Sequence, residues 1–354
     1  MYLALKEILY NKLRYLLVVA ITFLITYMVF FMTSLALGLM KDNRSAIDNW
    51  QARSVVLSEY ANKNLTASFI PKNQYENNLD ENTIPMGYTP AVVNLENNDK
   101  KINVSIFAQE WDTKIIPKLE EGRYPTSNNE IVADKSINNY GIQLGSKIFI
   151  NGSKDEYTIV GITKNNKFLT STMIYTNLET YWTIKGTING SKAISAIVKV
   201  NDGEVAGDGL LQLNTDEVIK SIPGYSAQKS VFAGMIGALV LITSLVIGIF
   251  IYIITIQKLG LYGIMRAQGI KVKDIVLALF LQIFVLSSIG VGTALFAVLG
   301  TKYIVPKTLF FEVNWLAYTV LSISIILVSL IGGLISLPKI LNFSNYPPHL
   351  TTND

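Results

Sequence analysis

The sequence predicts an α-helical membrane protein with four transmembrane helices, in a one-plus-three arrangement, and an extracellular α+β domain on helical stalks. Four uncharged stretches are each 26 to 28 residues long: 15–40, 230–257, 275–301 and 313–338. At 1.5 Å per residue, each is long enough to cross a hydrocarbon core about 30 Å thick. A polar segment of 189 residues, 41–229, separates the first stretch from the other three. Lysine and arginine are concentrated on one side of these stretches, which indicates how they cross the membrane.

The first stretch predicts a retained anchor. Buried core helices of a soluble protein would carry a polar face at this length, and 15–40 has none. A secretory signal peptide has an apolar run of about 7 to 15 residues followed by a cleavage site with small side chains. The run here is about twice as long, and no such site follows it in residues 39–42.

Positive charge predicts the orientation. Lys6, Lys12 and Arg14 precede the first stretch, and the loop 258–274 carries Lys258, Arg266, Lys271 and Lys273. The loop 302–312 carries only Lys302 and Lys307. Because basic residues resist translocation, we expect both termini and loop 258–274 to be cytoplasmic in a bacterial cell membrane. Residues 41–229 and 302–312 are then extracellular.

These boundaries divide the chain into nine segments. We expect an amphipathic cytoplasmic helix at 1–14 and a cytoplasmic helix within 258–274. A cytoplasmic tail covers 339–354. The transmembrane helices and extracellular segments have the bounds given above.

Composition excludes several kinds of chemistry. The chain has no cysteine, and its single histidine, His349, lies in the predicted cytoplasmic tail. Disulfides, thiolate metal sites, Ser-His-Asp catalysis and histidine-ligated metals are therefore excluded from the extracellular domain. No phosphate-binding G-x-x-x-x-G-K-[ST] motif occurs, so we expect neither an enzyme nor an intrinsic cofactor or metal. The extracellular segment has a net charge of −2, which gives no reason to expect nucleic-acid binding.

The extracellular segment predicts a mixed domain between two helical stalks. Helical patterns cover 41–51, 216–221 and the residues from 227 onward, and Pro223-Gly224 separates the last two. Strand patterns occur at 53–60, 102–108, 130–133, 147–150, 157–162 and 193–200. Asn151-Gly152 predicts a hairpin turn between two of these strands, because both residues tolerate positive φ.

The cytoplasmic loop contains a short amphipathic pattern at 261–270, with Gly269 as its expected terminator. Apolar residues at 261, 264, 265 and 267 or 270 share one face. This helix could lie at the lipid headgroups, held by Lys271 and Lys273, or dock a cytoplasmic partner. The residues alone leave both interpretations open.

Small residues four apart occur in the second membrane stretch: Ala233 with Gly237, and Gly234 with Ala238. Such pairs allow two helices to approach closely. The alternative is that glycine is simply common in membrane helices.

Residues 263–271, GIMRAQGIK, resemble the G-I-x-(K/R)-A-x-G motif that follows the second membrane helix in FtsX- and MacB-type ABC transporter permeases. Segments 119–125, 129–132, 141–147 and 157–162 similarly resemble the periplasmic core domain of that family. The resemblance covers essentially the whole chain, although the tail at 338–349 departs from the short basic ending common in the family.

The resemblance implies a homodimer bound to two copies of a separate cytoplasmic ATPase, which binds the ATP. The cytoplasmic helix would be the coupling helix, with contacts from Leu261, Gly263, Ile264, Met265, Arg266, Ala267 and Gly269. Its displacement would tilt the second membrane helix, move the stalks and expel cargo. Ala233, Gly234, Gly237 and Ala238 would form the dimer interface.

Segments 3–8, 252–258, 277–279 and 282–283 are similar to the haem-efflux members of the family, which implies haem or a similar amphipathic toxic molecule as cargo. Without an extracellular histidine, iron ligands would come from tyrosine, methionine or glutamate. The candidates are Tyr225, Met40, Met235, Glu59 and Tyr60, with Phe168 able to stack but not ligate. Each is alternatively an interface anchor or a packing residue.

Two other functions stay open: export of peptides, lipoproteins or antimicrobials, and mechanical activation of a cell-wall hydrolase as by FtsX. The large multi-strand domain and short N-terminal segment favour transport.

Overall fold

A computed structural model describes residues 12–95, 98–187, 190–205, 207–306 and 309–333. The chain divides into a membrane unit, residues 1–37 with 230–354, and an extracellular unit, residues 38–229. Residues 1–11 of the predicted N-terminal helix and the whole predicted tail, including His349, lie outside the described residues.

The described residues form eight α-helices: α1 (Lys12–Asp48), α2 (Lys72–Tyr75), α3 (Leu178–Lys185), α4 (Thr215–Lys220), α5 (Tyr225–Gln257), α6 (Leu259–Ala267), α7 (Val272–Ile304) and α8 (Trp315–Gly333). Four of them, α1, α5, α7 and α8, are long and apolar enough to cross a membrane. This confirms the four predicted membrane helices. Helices α1 and α5 extend beyond the uncharged stretches, as the stalk prediction expects.

Close contacts at glycines join helices of the membrane unit. A Cβ atom at Gly290 of α7 would lie 2.7 Å from the Thr22 side chain of α1, and one at Gly332 of α8 would lie 2.5 Å from the Ser244 carbonyl oxygen of α5. Neither position has room for a larger residue without movement of its neighbour. The helices can therefore approach each other closely at these two positions, because glycine has no side chain. Such contacts are common in membrane helix bundles.

The described part of the extracellular unit contains eleven strands: β1 (Ser54–Ser58), β2 (Thr83–Leu95), β3 (Asn98–Ala108), β4 (Leu119–Gly122), β5 (Glu130–Asp134), β6 (Lys147–Ile150), β7 (Glu156–Thr163), β8 (Lys167–Phe168), β9 (Ser171–Thr176), β10 (Ala196–Lys199) and β11 (Leu210–Asn214). Their order is β11-β1-β10-β2-β3-β9-β5-β7-β4, with β6 beside β2 and β7, and β8 beside β9. Pairs β3–β9 and β5–β7 are parallel and the others antiparallel, so the sheet is mixed. The α+β prediction is confirmed.

The predicted hairpin turn follows β6. Asn151 and Gly152 have φ angles of 51° and 72°, and β6 pairs with β7 in antiparallel register. All six predicted strand segments contain a strand, whereas β2, β4, β8, β9 and β11 were not predicted.

Aromatic rings fill part of the core of the extracellular unit. Phe107 lies at the centre, with ring centroids 5.1 Å from Trp50 and 5.3 Å from Phe168. Tyr88 and Tyr175 complete the group, and all five side chains are buried. The end of α1 contributes Ala46 and Ile47 to this core. The outer part of α1 is therefore built into the extracellular unit.

Candidate functional site

The predicted coupling helix is α6. It begins one residue after Lys258, which follows the last residue of α5, and the Tyr262 amide donates to the Lys258 carbonyl at 3.0 Å. At its other end, Gly269 has a φ of +90° and the Ile270 amide donates to the Met265 carbonyl at 3.1 Å. This bond closes a Schellman-type helix end, which requires a residue that tolerates positive φ. Gly269 therefore terminates α6, as the sequence predicts.

The apolar residues of α6 lie on two different faces. Tyr262 is buried, and Met265 and Ile270 pack with it against Ile247, Ile275 and neighbouring apolar side chains. Leu261 and Ile264 are 48% and 59% exposed. The outward pair forms a small exposed apolar surface, which fits either lipid headgroups or a protein partner.

Other predicted coupling residues lie along the same helix and its end. Gly263 is half-buried, Ala267 and Gly269 are exposed, and Arg266 lies within α6. Their roles stay predictions. Sequence periodicity placed Met265 with Ile264, whereas the structure assigns Met265 to the interior.

The outer end of α1 is held by residues 165–170, here called the stalk turn. Leu169 and Thr170 donate their amides to the carbonyls of Asn43 and Asp42, at 3.2 and 3.1 Å. Asn49 donates its side-chain amide to the Asn165 carbonyl at 3.0 Å. Further side-chain contacts join the same two segments: Lys167 with Asp42, Ser45 with Lys167, and Asn49 with Asn166. The stalk turn therefore binds the last turns of α1 through hydrogen bonds and an ion pair.

The stalk turn has an unusual backbone. Asn165, Leu169 and Thr170 have φ angles of 56°, 52° and 63°. A positive φ is uncommon outside glycine and is unfavourable for a β-branched residue such as Thr170. Residues in such conformations persist where the surroundings over-determine them, and they cluster at functional sites. The grip on α1 is therefore maintained against local strain.

Buried polar groups connect the stalk turn to the sheet. The Asn166 amide donates to an Asp134 carboxylate oxygen at 2.8 Å, and the Tyr175 hydroxyl donates to the Asn166 side chain at 2.8 Å. Burial raises the pKa of the Asp134 carboxyl group, and it raises the pKa of Tyr175 well above its ordinary value of 10.0. Tyr175 is thus a neutral donor at physiological pH. A continuous chain of hydrogen bonds leads from α1 to strands β5 and β9.

Tyr225, the first residue of α5, lies beside this end of α1. Its ring is buried in the same core as Phe107, and Arg44 donates to its hydroxyl at 3.4 Å. Arg44 also binds both carboxylate oxygens of Asp48. Nearby, the Asn43 side chain donates to Gln228 at 3.2 Å. Arg44 is not among the residues predicted from the sequence, where its only signal is a basic residue four positions before an acidic one on a helix.

The other candidate ligands are in different environments. Met40 is partly buried against the core that contains Tyr225 and Phe168. Phe168 is fully buried there, so haem could stack on it only if this core opened. Glu59 and Tyr60 lie in a short 3-10 turn, and Tyr60 is 89% exposed. Met235 belongs to the membrane unit and is exposed. The structure thus brings Met40, Phe168 and Tyr225 to one cluster and leaves Glu59 and Tyr60 outside it.

The small residues of α5 form an open stripe. Ala233, Gly234, Gly237 and Ala238 are all exposed. A Cβ atom at Gly234 or Gly237 would meet no atom of the protomer within 4 Å. These glycines therefore differ from Gly290 and Gly332, whose positions neighbouring helices of the same protomer fill.

Comparison with known proteins places this architecture in a class. No family model matches the chain. Curated staphylococcal permease proteins align with 96% of this chain and 97% of their own length. The chain is thus similar over nearly its whole length to permease proteins, and its four membrane helices and mixed-sheet domain are those of a membrane protein with an extracellular domain.

The relatives carry the provisional name hemin transport system permease protein HrtB. The protein from Staphylococcus haemolyticus (strain JCSC1435) is 29% identical over 345 residues, and one from Staphylococcus epidermidis (strain ATCC 35984) is 28% identical over 354 residues. The resemblance found in the sequence is confirmed.

Two solved structures are also similar to part of the chain. One is the extracellular domain of the noncanonical ABC-type transporter YknZ from Gram-positive bacteria, at 14% identity and a TM-score of 0.31, covering 42% of this chain and 84% of that one. The other is a domain of a provisionally named permease protein from Porphyromonas gingivalis, at 13% identity and a TM-score of 0.31, covering 44% and 78%.

Proposed function

We propose that this chain is the permease of an efflux system that expels haem, or a similar amphipathic toxic molecule, from a bacterial cell membrane. The observation that carries the proposal is the alignment of 96% of the chain with proteins named for hemin transport. The match includes the membrane helices, the extracellular domain and the α6 loop together. An alignment with only one of these parts would not support a proposal about the transported molecule.

The orientation is part of the proposal. Both termini and α6 are cytoplasmic, because the flanks of α1 and the loop around α6 carry more lysine and arginine than residues 302–312. The exposed pair Leu261 and Ile264 then faces the compartment that contains ATP. This placement supports α6 as the docking element for the ATPase.

The assembly is a homodimer of this chain with two ATPase subunits. The open stripe on α5 supports dimerisation, because a second copy could approach Gly234 and Gly237 without displacing any atom of the first. Two permeases present two α6 helices, one for each ATPase. Twofold symmetry is also the commonest symmetry among soluble homo-oligomers.

Cargo contact is proposed for the candidate side chains named from the sequence. Tyr225 and Met40 share a core cluster that also receives the end of α1, so movement of α1 would change the surroundings of both. Met235 is exposed on α5 and could reach a ligand from lipid. Glu59 and Tyr60 would act farther out, and Phe168 only after rearrangement.

A hemin titration tests the cargo. The purified chain, in lipid nanodiscs, is titrated with hemin and followed by absorbance, alongside Tyr225→Phe and the control Tyr140→Phe. We expect saturable binding with a high-spin ferric spectrum. Tyr225→Phe should change that spectrum because it removes a phenolate ligand, whereas Tyr140→Phe should not. Growth in toxic hemin is scored in parallel.

The outcomes separate the candidate functions. Absence of saturable hemin binding, together with unchanged hemin tolerance after deletion of the gene, would refute the efflux proposal. Export of peptides or lipoproteins, or hydrolase activation, would then be the better explanation. Saturable binding with an unchanged spectrum in Tyr225→Phe would retain haem as cargo and reject Tyr225 as its ligand.

A further inference from the structure

A buried lysine occupies the joint between α5 and α6. Lys258 is 9% exposed, and its ammonium group donates to the Tyr15 hydroxyl of α1 at 2.6 Å. The side-chain amide of Gln282, on α7, donates to the same hydroxyl oxygen. Tyr15 and Gln282 are both buried. One phenol oxygen thus connects the α5–α6 joint with two other helices.

The surroundings of this group are apolar. Val18, Ile254 and Leu286 pack with Tyr15 in one buried cluster. An ionisable side chain buried among apolar groups is unfavourable unless it is paired and hydrogen-bonded. A lysine that serves only as a topology signal keeps its amine in water, as the exposed Lys271 and Lys273 of the same loop can. Burial of Lys258 therefore needs another explanation.

A second contact joins the same elements. Arg14, next to Tyr15 on α1, donates to the side chain of Gln257, the last residue of α5. Two successive residues of α1 therefore bind Gln257, the last residue of α5, and Lys258, the residue after it. Because α6 begins at the next residue, its base is fixed to α1 as well as to α5.

We propose that Lys258, Tyr15 and Gln282 form a latch that transmits displacement of α6 to α1. The proposal rests on the proposed coupling role of α6 and goes beyond it, because α6 packs against α5 and α7 and that role alone accounts for no movement of α1. Residues 38–48 of α1 belong to the extracellular unit, where the stalk turn grips them. Through the latch, displacement of α6 by the ATPase would move α1 as well as α5. Lys258 acts as a positioning residue.

Spin labels test whether the latch holds α6. The chain has no cysteine, so cysteines introduced at the exposed positions Leu13 and Gln268 are the only labelling sites. Double electron–electron resonance measures the distance distribution between them in nanodiscs. We expect a narrow distribution in the parent chain and a broader one in Lys258→Met, which removes the ammonium but keeps an unbranched apolar side chain. Lys271→Met, which removes an exposed charge from the same loop, should change nothing.

A double-mutant cycle tests whether Tyr15 is the partner. Tyr15→Phe removes only the hydroxyl, but it leaves the Lys258 ammonium buried without that acceptor, which can impair folding. Tyr15→Phe combined with Lys258→Met removes the charge as well and should insert normally. The distance distribution of the double variant should be no broader than that of Lys258→Met, because both substitutions break the same interaction. Additive broadening would overturn the assignment of Tyr15.

The functional readout is transport per ATP hydrolysed by the complex with the native ATPase, measured as hemin efflux. Lys258→Met should retain ATP hydrolysis while efflux per ATP falls at least about fivefold, the lower end of typical coupling between sites. Lys258→Gln, which keeps a donor for Tyr15, should restore part of the coupling. Unchanged efflux per ATP, or an unchanged distance distribution, would overturn the latch.

Ile264→Asp separates the latch from the coupling role on which it rests. This change places a charge on the exposed face of α6 and should abolish stimulation of ATP hydrolysis. Full stimulation in Ile264→Asp would reject α6 as the coupling element, and the latch with it. Loss of stimulation in Ile264→Asp with normal coupling in Lys258→Met would reject the latch alone.

Discussion

The membrane unit and the extracellular unit use polar side chains differently. In the membrane unit, many hydroxyl groups bond within their own helix, as Thr33, Thr243 and Ser329 do by donating to the carbonyl four residues earlier. A smaller number join two helices, such as the Ser244 hydroxyl of α5, which donates to the Val328 carbonyl of α8 at 3.1 Å. In the extracellular unit, polar groups join separate elements, as when the Tyr88 amide of β2 donates to Ser195 at 3.1 Å. Lipid offers backbone groups no hydrogen-bond partners, so the backbone of a membrane helix forms its hydrogen bonds within the helix. Neighbouring membrane helices then associate largely by close packing of their surfaces. Extracellular elements depend on specific contacts with each other.

The largest effect that tests this contrast is loss of an aromatic ring from the extracellular core. Phe107→Ala should lower the free energy of unfolding of the extracellular unit by about 3–5 kcal/mol, because it leaves a cavity among four aromatic rings. Urea unfolding followed by tryptophan fluorescence measures this. Phe296→Ala, at a position 78% exposed on membrane helix α7, is the matched control and should have little effect. Equal effects would contradict the assigned core.

A smaller effect tests packing by shape in the membrane unit. Gly332→Ala places a Cβ atom 2.5 Å from the Ser244 carbonyl oxygen, and we expect a loss of about 1–3 kcal/mol from overpacking. Thermal unfolding in detergent measures it. Gly292→Ala, where a Cβ atom meets nothing within 4 Å of the protomer, should leave the melting temperature nearly unchanged or raise it. A lower melting temperature for Gly292→Ala than for Gly332→Ala would show that α5 and α8 do not meet at Gly332.

The stalk turn provides a test of contacts between elements. Lys167→Met removes the partner of Asp42 in a mostly buried ion pair, and the extracellular unit should lose about 1–2 kcal/mol of unfolding free energy. Lys72→Met breaks an exposed pair with Glu76, four residues later in the chain, and should cost only about 0.3–0.5 kcal/mol. Urea unfolding of both variants makes the comparison. Indistinguishable midpoints would mean that the Lys167 pair does not hold α1.

The smallest expected effect is a pH dependence at an exposed contact of the extracellular unit. The Arg123 guanidinium and the Thr126 amide lower the pKa of Glu130 from 4.5 to about 2. Since the unfolded chain binds this proton more readily, the contribution to stability is present above pH 4.5 and is lost as pH falls towards 2. Glu130→Gln should therefore flatten the curve of unfolding midpoint against pH in this interval. Identical slopes in both proteins would remove Glu130 from this role.

Strand β2 shows why part of the fold escaped prediction. Its sequence contains Pro85, Gly87 and Pro90, which normally interrupt strands. In the structure, a Cβ atom at Gly87 would lie 2.7 Å from the Tyr181 ring, so the glycine makes room for α3 to pack on the strand. A residue that lowers strand propensity locally is thus required by a neighbour 94 positions later in the chain.

In the candidate site, too, features set by local sequence were predicted and features set by distant contacts were not. Periodicity predicted α6 and its end at Gly269, because both follow from local spacing and backbone freedom. It could not separate Met265 from Ile264, since which face of a short helix is covered depends on α5 and α7. Neither the stalk turn nor the Lys258 latch has a local signal: Asn49 and Asn166 are 117 residues apart, and Tyr15 and Lys258 are 243 apart.

The sequence by itself determined the four membrane helices, their loops and the class of the extracellular domain. Length and the absence of charge suffice for a membrane helix, because lipid leaves the backbone no alternative. Only the tertiary structure decided the strand order, the grip of the stalk turn on α1 and the burial of Lys258. These depend on which distant segments meet, and hydrogen bonds between such segments leave no periodicity in the chain.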